Sequence, residues 1–263
     1  MKPSADVFDL FAVPPDAVRL DGGQGHSVLA GDLVLSPGRD PQIATWLNPV
    51  LARLAAELDN ERPRTLRLAM PIPTRDGRWV VDGWAASRYE PDTTHCRDLD
   101  VLLATAHLLT ARLATRVTTR PDGIRNRDDR WARAERIAFG ESQPGSIPNV
   151  VVPLVARILA ELDATPLGPD QLVHGDIAGN VLLDADGVPL VIDVAPYWRP
   201  VRWADAVCVL DAVVEHGTDP SAMRGYATGA DRQAMLRASL FRLLSDEDPN
   251  IEAHRHALES GPL

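Results

Sequence analysis

A chain of 263 residues, 45% of them hydrophobic, has enough apolar material for one large domain or two small lobes. Its formal net charge of −10 argues against an extended nucleic-acid surface, which would carry a basic face. Two cysteines, Cys96 and Cys208, exclude a disulfide framework and a C-x-x-C zinc site; with no apolar run as long as a membrane span and no basic, apolar leader in Met1 to Pro15, a cytoplasmic protein without membrane contact is expected.

The first third reads as a small antiparallel sheet interrupted by a helix. Ala17 to Leu20 is an extended run, followed by the glycine-rich turn Asp21-Gly22-Gly23-Gln24-Gly25. His26 to Ala30 and Leu33 to Leu35 flank Gly31-Asp32 and predict a hairpin. From Pro41 to Leu58, Ile43, Trp46, Leu47, Val50, Leu51 and Leu54 recur at helical spacing. Thr65 to Met70 and Trp79 to Ser87 are expected strands, separated by a turn at Arg75 to Arg78. Beyond Arg97 helices dominate. Leu99 to Ala114 carries an apolar stripe, Arg125 to Arg136 is dense in charge of both signs, and Pro153 to Leu162 is another helix. Gln171 to Val173 is a short strand ending at His174. Val181 to Leu183 and Leu190 to Ile192 enclose Asp184-Ala185-Asp186-Gly187 and predict a second hairpin. Trp203 to His216 and Arg232 to Leu244 are helices, and the polar tail after Asp246 is expected to fray. The change in character places a boundary near Ser87 to Pro91, giving lobes of residues 1–87 and 88–263.

One string carries the chemistry: Val173-His174-Gly175-Asp176-Ile177-Ala178-Gly179-Asn180, followed after the hairpin by Ile192-Asp193. Phosphoryl transfer asks little covalent work of a protein. It needs a cation against the phosphates and a carboxylate that orients the attacking hydroxyl. Asp176 can serve the hydroxyl, while Asn180 and Asp193 offer the oxygen ligands magnesium prefers. Taken singly, Asp176 is a common turn residue, His174 a structural histidine and Asp193 a helix cap; the combination is what points to a site.

That combination resembles the catalytic loop and metal-binding aspartate of aminoglycoside phosphotransferases, choline kinases and homoserine kinases, which share a protein-kinase-like fold. With Gly22-Gly23-Gln24-Gly25, Trp79 to Ala85 and Pro196 to Pro200 included, the chain resembles an actinobacterial branch of that superfamily. The resemblance implies an α+β fold of two lobes: a small antiparallel sheet with one helix, and a larger, mainly helical C-terminal lobe. It implies ATP and Mg2+ as cofactors and a small-molecule hydroxyl compound as substrate. It makes Asp176 the catalytic base, braced by His174, and Asn180 and Asp193 the metal ligands. Gly22, Gly23, Gln24 and Gly25 would lie over the phosphates, and Trp84, Ala85 and Ala86 would begin the hinge that meets the nucleotide base. Asp205 would hydrogen-bond back to the catalytic loop.

The pattern departs from the superfamily in two places. The strand after the glycine turn normally carries a lysine, but Lys2 is the only lysine in this chain. Arg39 and Arg67 are the candidate replacements, although arginine is a planar fork and not a point charge. The interval from Asp176 to Asn180 is also one residue shorter than usual. Two readings follow: an active small-molecule phosphotransferase, or a pseudokinase that binds nucleotide or a metabolite, or acts as a scaffold, with little transfer activity. For the acceptor, Asp128 and Asp129 would suit aminated compounds, and Arg127, Arg130, Arg199 and Arg202 anionic ones. Tyr197, Trp198 and Trp203 either wall a substrate pocket or pack the core.

Overall fold

The computed structural model describes residues 2–20 and 26–259. Its early elements are helix α1 (Ala5–Phe11), strands β1 (Val18–Arg19), β2 (Val28–Ala30) and β3 (Leu33–Ser36), helix α2 (Pro41–Asn60), and strands β4 (Arg67–Leu68), β5 (Pro71–Ile72), β6 (Ala85–Arg88) and β7 (Thr94–His95). Four helices follow: α3 (Leu99–Ala114), α4 (Asp122–Arg125), α5 (Arg130–Ala138) and α6 (Val152–Glu161). Then come strands β8 (Asp170–His174), β9 (Val181–Leu183), β10 (Pro189–Val191) and β11 (Pro196–Pro200), helix α7 (Val201–Val214), a 3-10 turn (Pro220–Tyr226), and helices α8 (Gly229–Ser245) and α9 (Ile251–Glu259).

The fold is mixed α+β and divides into two compact units: Met1–Cys96 with Asn180–Val194, and Arg97–Gly179 with Ala195–Leu263. A single division after residue 87, as composition suggests, leaves out the late hairpin that packs with the first unit. The reason is pairing. β10 runs parallel to β4, and β9 runs antiparallel to both β10 and β7, so β9 and β10 complete a sheet of order β4-β10-β9-β7.

The first unit also holds a five-stranded sheet of order β1-β2-β3-β6-β5, antiparallel at each pairing. Helix α2 begins where Asp40 accepts a hydrogen bond from the Gln42 N–H at 2.7 Å, with Pro41 in the first turn. It buries Ala44, Leu47, Leu51, Leu54, Ala55 and Leu58 along one face. A second helix, α1, precedes the sheet: Ser4 caps it, and Val7 and Phe11 pack with Leu33, Leu35, Trp84 and Ala86.

Two expectations change, and one strand appears where none was foreseen. The strand foreseen from Trp79 begins only at Ala85. Asp82 and Gly83 both have positive φ, at 50° and 76°, and Val81 and Trp84 bond each other across them in a tight reversal. In the second unit, Pro196–Pro200 forms β11, an edge strand that pairs only with β8, where terminal prolines are tolerated. The tail does not fray at Asp246: Asn250 receives the Ala253 N–H at 3.0 Å, and α9 buries His254 and Leu258.

The second unit is built around the rings of Tyr197, Trp203, Phe241 and Phe139. Trp203 meets the other three edge to face at centroid distances of 5.3 to 5.7 Å. These aromatics therefore pack the core, and Trp203 is wholly buried. No helix among the described residues is long and apolar enough to cross a membrane. Trp203→Ala removes the ring on which the other three converge. It is expected to destabilise the protein by about 3–5 kcal/mol, read from urea unfolding; a loss below about 1 kcal/mol would contradict this account of the core.

Candidate active site

The boundary between the two units falls between Gly179 and Asn180, so the motif is shared out between them. In the second unit β8 delivers the chain into the loop from Gly175 to Gly179. β11 runs along it with Pro196 opposite His174, and the Gly175 N–H donates to the Ala195 carbonyl at 3.0 Å. His174 is 2% exposed, and its Nδ1 accepts the Asp176 N–H at 3.1 Å. A Cβ at Gly175 would lie 2.4 Å from Tyr197 Cδ2, so only glycine lets this backbone rest on the aromatic core. At Gly179, φ is +82°, and a Cβ would sit 3.1 Å from His216 Nε2. The loop is thus fixed by packing on its backbone, while the Asp176 side chain stays 44% exposed.

Arg242 of α8 reaches this loop. Its Nη2 is 2.5 Å from Asp176 Oδ1 and also bonds Asp211 Oδ2, and its Nε donates to Asp211 Oδ1 at 2.8 Å. Asp211 is 7% exposed on α7. Burial pushes its pKa up to about 6, against the pull of Arg242. Burial also works against the charge of Arg242, but Asp211 and Asp176 outweigh it and raise that pKa well above the usual arginine value.

In the first unit the β9–β10 register pairs Val181 with Val191, and the Ile192 N–H donates to the Asn180 carbonyl at 2.9 Å. Asn180 opens β9 and Asp193 follows β10, so the hairpin places both at its same end. Asp193 has φ +46°, the left-handed region a non-glycine residue rarely enters. Arg39, just past β3, pairs with Asp193 Oδ1 through Nη1, and its own N–H donates to the Gly83 carbonyl at 2.9 Å. Burial lowers the tendency of Arg39 to stay charged, and Asp193 more than restores it. Arg67 belongs elsewhere: it bonds Glu90 at 2.5 Å and lies 3.4 Å from Asp184 and 3.9 Å from Asp59, joining β4, β9 and α2.

The remaining candidates fall as follows. Gly22, Gly23, Gln24 and Gly25 lie outside the described residues. The Trp84 side chain is 1% exposed, Ala85 pairs with Ser36, and Ala86 is flanked by Leu35 and Ile72. Ala86 therefore lies inside the sheet, with a strand on either side of it. Asp205 does not reach the loop; both of its carboxylate oxygens are 2.9 Å from His107 Nε2. It lines a cleft of about 640 Å³ with His107, Gln171, Arg202, Tyr226 and Asp231, toward the start of β8 and away from Asp176. Arg199 is buried against Glu135 and Glu141, Arg202 pairs with Asp231, Arg130 with Glu247, and Arg127 with Asp129, which also caps α5. Among the described residues no three His, Cys, Asp or Glu side chains cluster as a metal site. A cation held here would use the amide oxygen of Asn180 with the Asp193 carboxylate and non-protein oxygens, the mixed set common for magnesium.

Sequence reading did not single out Arg242 or Asp211. Asp211 left one trace, as one of two acids, with Asp205, in the otherwise largely apolar α7. Arg242 left none, being one arginine among several on a helix.

Residues 78–241, well over half of the chain, match the family described as the phosphotransferase enzyme family. No curated protein is detectably similar in sequence. Among solved structures, the choline kinase LicA of Streptococcus pneumoniae is similar at TM-score 0.53 and 14% identity, with 93% of this chain and 92% of that one covered. A choline/ethanolamine kinase family protein of Mesorhizobium loti is similar at TM-score 0.50 and 18% identity, with 95% and 87% covered. At these identities the likeness is one of fold.

The raised pKa of Asp211 has a stability consequence. A carboxyl with a folded pKa near 6 and an unfolded value of 3.8 favours the fold when protonated. That stability is complete below the unfolded value and lost as pH rises through about 6. Asp211→Asn removes this dependence, so the variant's stability relative to the parent should improve as pH rises from 4.5 to 7. Urea midpoints at the two pH values test this; a relative stability that falls over that interval would reverse the assignment.

Proposed function

The chain belongs to the phosphotransferase enzyme family, and on that premise we propose that it moves the γ-phosphate of Mg-ATP to a hydroxyl group of a small molecule. The observation that supports this most is Asp176. It is an exposed carboxylate on a loop whose backbone is pinned by His174, Tyr197 and His216. A group that must orient a hydroxyl and receive its proton needs this combination of fixed position and access. His174 holds the loop through the Asp176 N–H. Asn180 and Asp193 would hold magnesium, which when bound neutralises phosphate charge. The residues Gly22 to Gly25 are assigned to the phosphates on the strength of their sequence alone. Of the two arginines that could replace the absent lysine, Arg39 is the better placed, beside Asp193, because Arg67 is committed to three carboxylates.

A second reading has its own support. Asp176 and Asp193 are each ion-paired with an arginine, and the usual lysine is missing. A pseudokinase that binds nucleotide without transferring phosphate fits those facts as well. The two readings separate in one experiment: ADP release from Mg-ATP in the presence of small alcohols and amino alcohols, beside a thermal-shift titration with Mg-ATP. The transferase reading expects release, a fall of about 100-fold or more in Asp176→Asn, and loss of the magnesium-dependent part of the thermal shift in Asp193→Ala. A thermal shift with no ADP release across the panel favours the pseudokinase reading instead.

A further inference from the structure

The pair formed by Asp211 and Arg242 is an expensive way to join α7 to α8. Each brings a charge into the interior of the second unit, where two well-packed apolar side chains would hold the helices at least as firmly. The guanidinium is not used up by its partner. Nε and Nη2 grip the Asp211 carboxylate as a fork, and Nη2 also reaches Asp176 Oδ1 at 2.5 Å and the Gly175 carbonyl at 3.5 Å. One buried carboxylate therefore orients an arginine whose Nη2, shared with that carboxylate, also reaches the backbone and the side chain of the loop. We propose that Arg242, held in place by Asp211, is the positioning residue for Asp176, fixing which carboxylate oxygen that residue turns to an incoming hydroxyl. This rests on the reading of Asp176 as the group that meets the acceptor.

The arrangement explains its own cost. A carboxylate at a loop tip rotates freely about its side-chain torsions, and a rotating base meets its substrate in the right geometry only part of the time. A guanidinium anchored from two helices removes that freedom, and its planar fork does so with a direction that an ammonium lacks. With both carboxylates ionised, one guanidinium faces two anions, so the assembly keeps a net negative charge for a proton to meet.

The test compares Arg242→Gln, Arg242→Lys and Asp176→Asn in the full chain, with circular dichroism melts to confirm folding. The assay is ADP release from Mg-ATP with the same alcohol panel. Arg242→Gln is expected to lower kcat 10- to 100-fold with the KM for Mg-ATP changed less than twofold, and Arg242→Lys to recover part of the loss. If Arg242→Gln keeps kcat within twofold while Asp176→Asn abolishes turnover, the positioning role is wrong and the reading of Asp176 stands. If Asp176→Asn leaves turnover unchanged, that reading fails and takes the positioning role with it. Where no acceptor gives measurable turnover, amide hydrogen exchange decides: residues 175–179 should exchange about 10-fold faster in Arg242→Gln, and unchanged protection there overturns the proposal.

Discussion

A carboxylate withdrawn from water must find a cation, and the structure of this chain is organised by how it meets that demand. With its one lysine at position 2, the body of the protein has only arginine for the task. Arg67 gathers Asp59, Glu90 and Asp184 and so fastens the late hairpin to the helix and strand of its own unit. Arg199 settles Glu135 in the interior of the other unit, where burial still raises that carboxyl's pKa. Arg39 meets Asp193, and Arg242 meets Asp176 and Asp211. The same rule therefore governs structural and candidate functional acids. What distinguishes the second group is exposure: Asp176 and Asp193 are both 44% exposed, whereas Glu135 and Asp211 are shut in.

Local signals were enough for elements whose causes are local. Leu99 to Ala114 became a helix of the expected bounds, because its stripe and the cap at Asp98 lie within the segment itself. The hairpin around Asp186-Gly187 formed where its turn residues said, with Asp184 accepting from the Asp186 and Val188 N–H groups. The reversal after Trp79 is also local in origin, because Asp82-Gly83 is a hairpin signal as strong as Asp186-Gly187. The remaining misses depend on distant partners. Pro196 to Pro200 is extended because β8 lies beside it, and Ile251 to Glu259 is ordered because it packs on α7, α8 and the 3-10 turn, with Leu258 and His254 buried. Neither partner can be read from the segment alone.

The candidate site divides along the same line. The loop residues His174, Asp176 and Asn180 and the later Asp193 share a recognisable spacing because a strand, a loop and a hairpin fix their separation along the chain. Arg242 and Arg39 come from elements far away in sequence, and nothing in an arginine's immediate neighbourhood says which carboxylate it will meet. Asp205 shows the reverse case. Its position in the sequence suggested a bond to the loop, yet α3 brings His107 to it, and that nearer partner takes both of its oxygens.

The lysine's absence therefore has to be weighed against charge, not against a pattern. An exposed aspartate beside a guanidinium is a neutral pair, and such a pair costs little to keep when no ligand is present. If a phosphate and a divalent cation come to this part of the first unit, they offer each member of the pair a new partner of opposite sign: the anion suits Arg39 and the cation suits Asp193. No charge is stranded at either end of that exchange. A lysine would make the same trade through a single ammonium, whereas arginine makes it through a planar set of donors that can hold two phosphate oxygens at once. On physical grounds the substitution changes the geometry demanded of a nucleotide more than it removes the means of binding one, and this is why the ion pair at Asp193 is compatible with a working phosphotransferase.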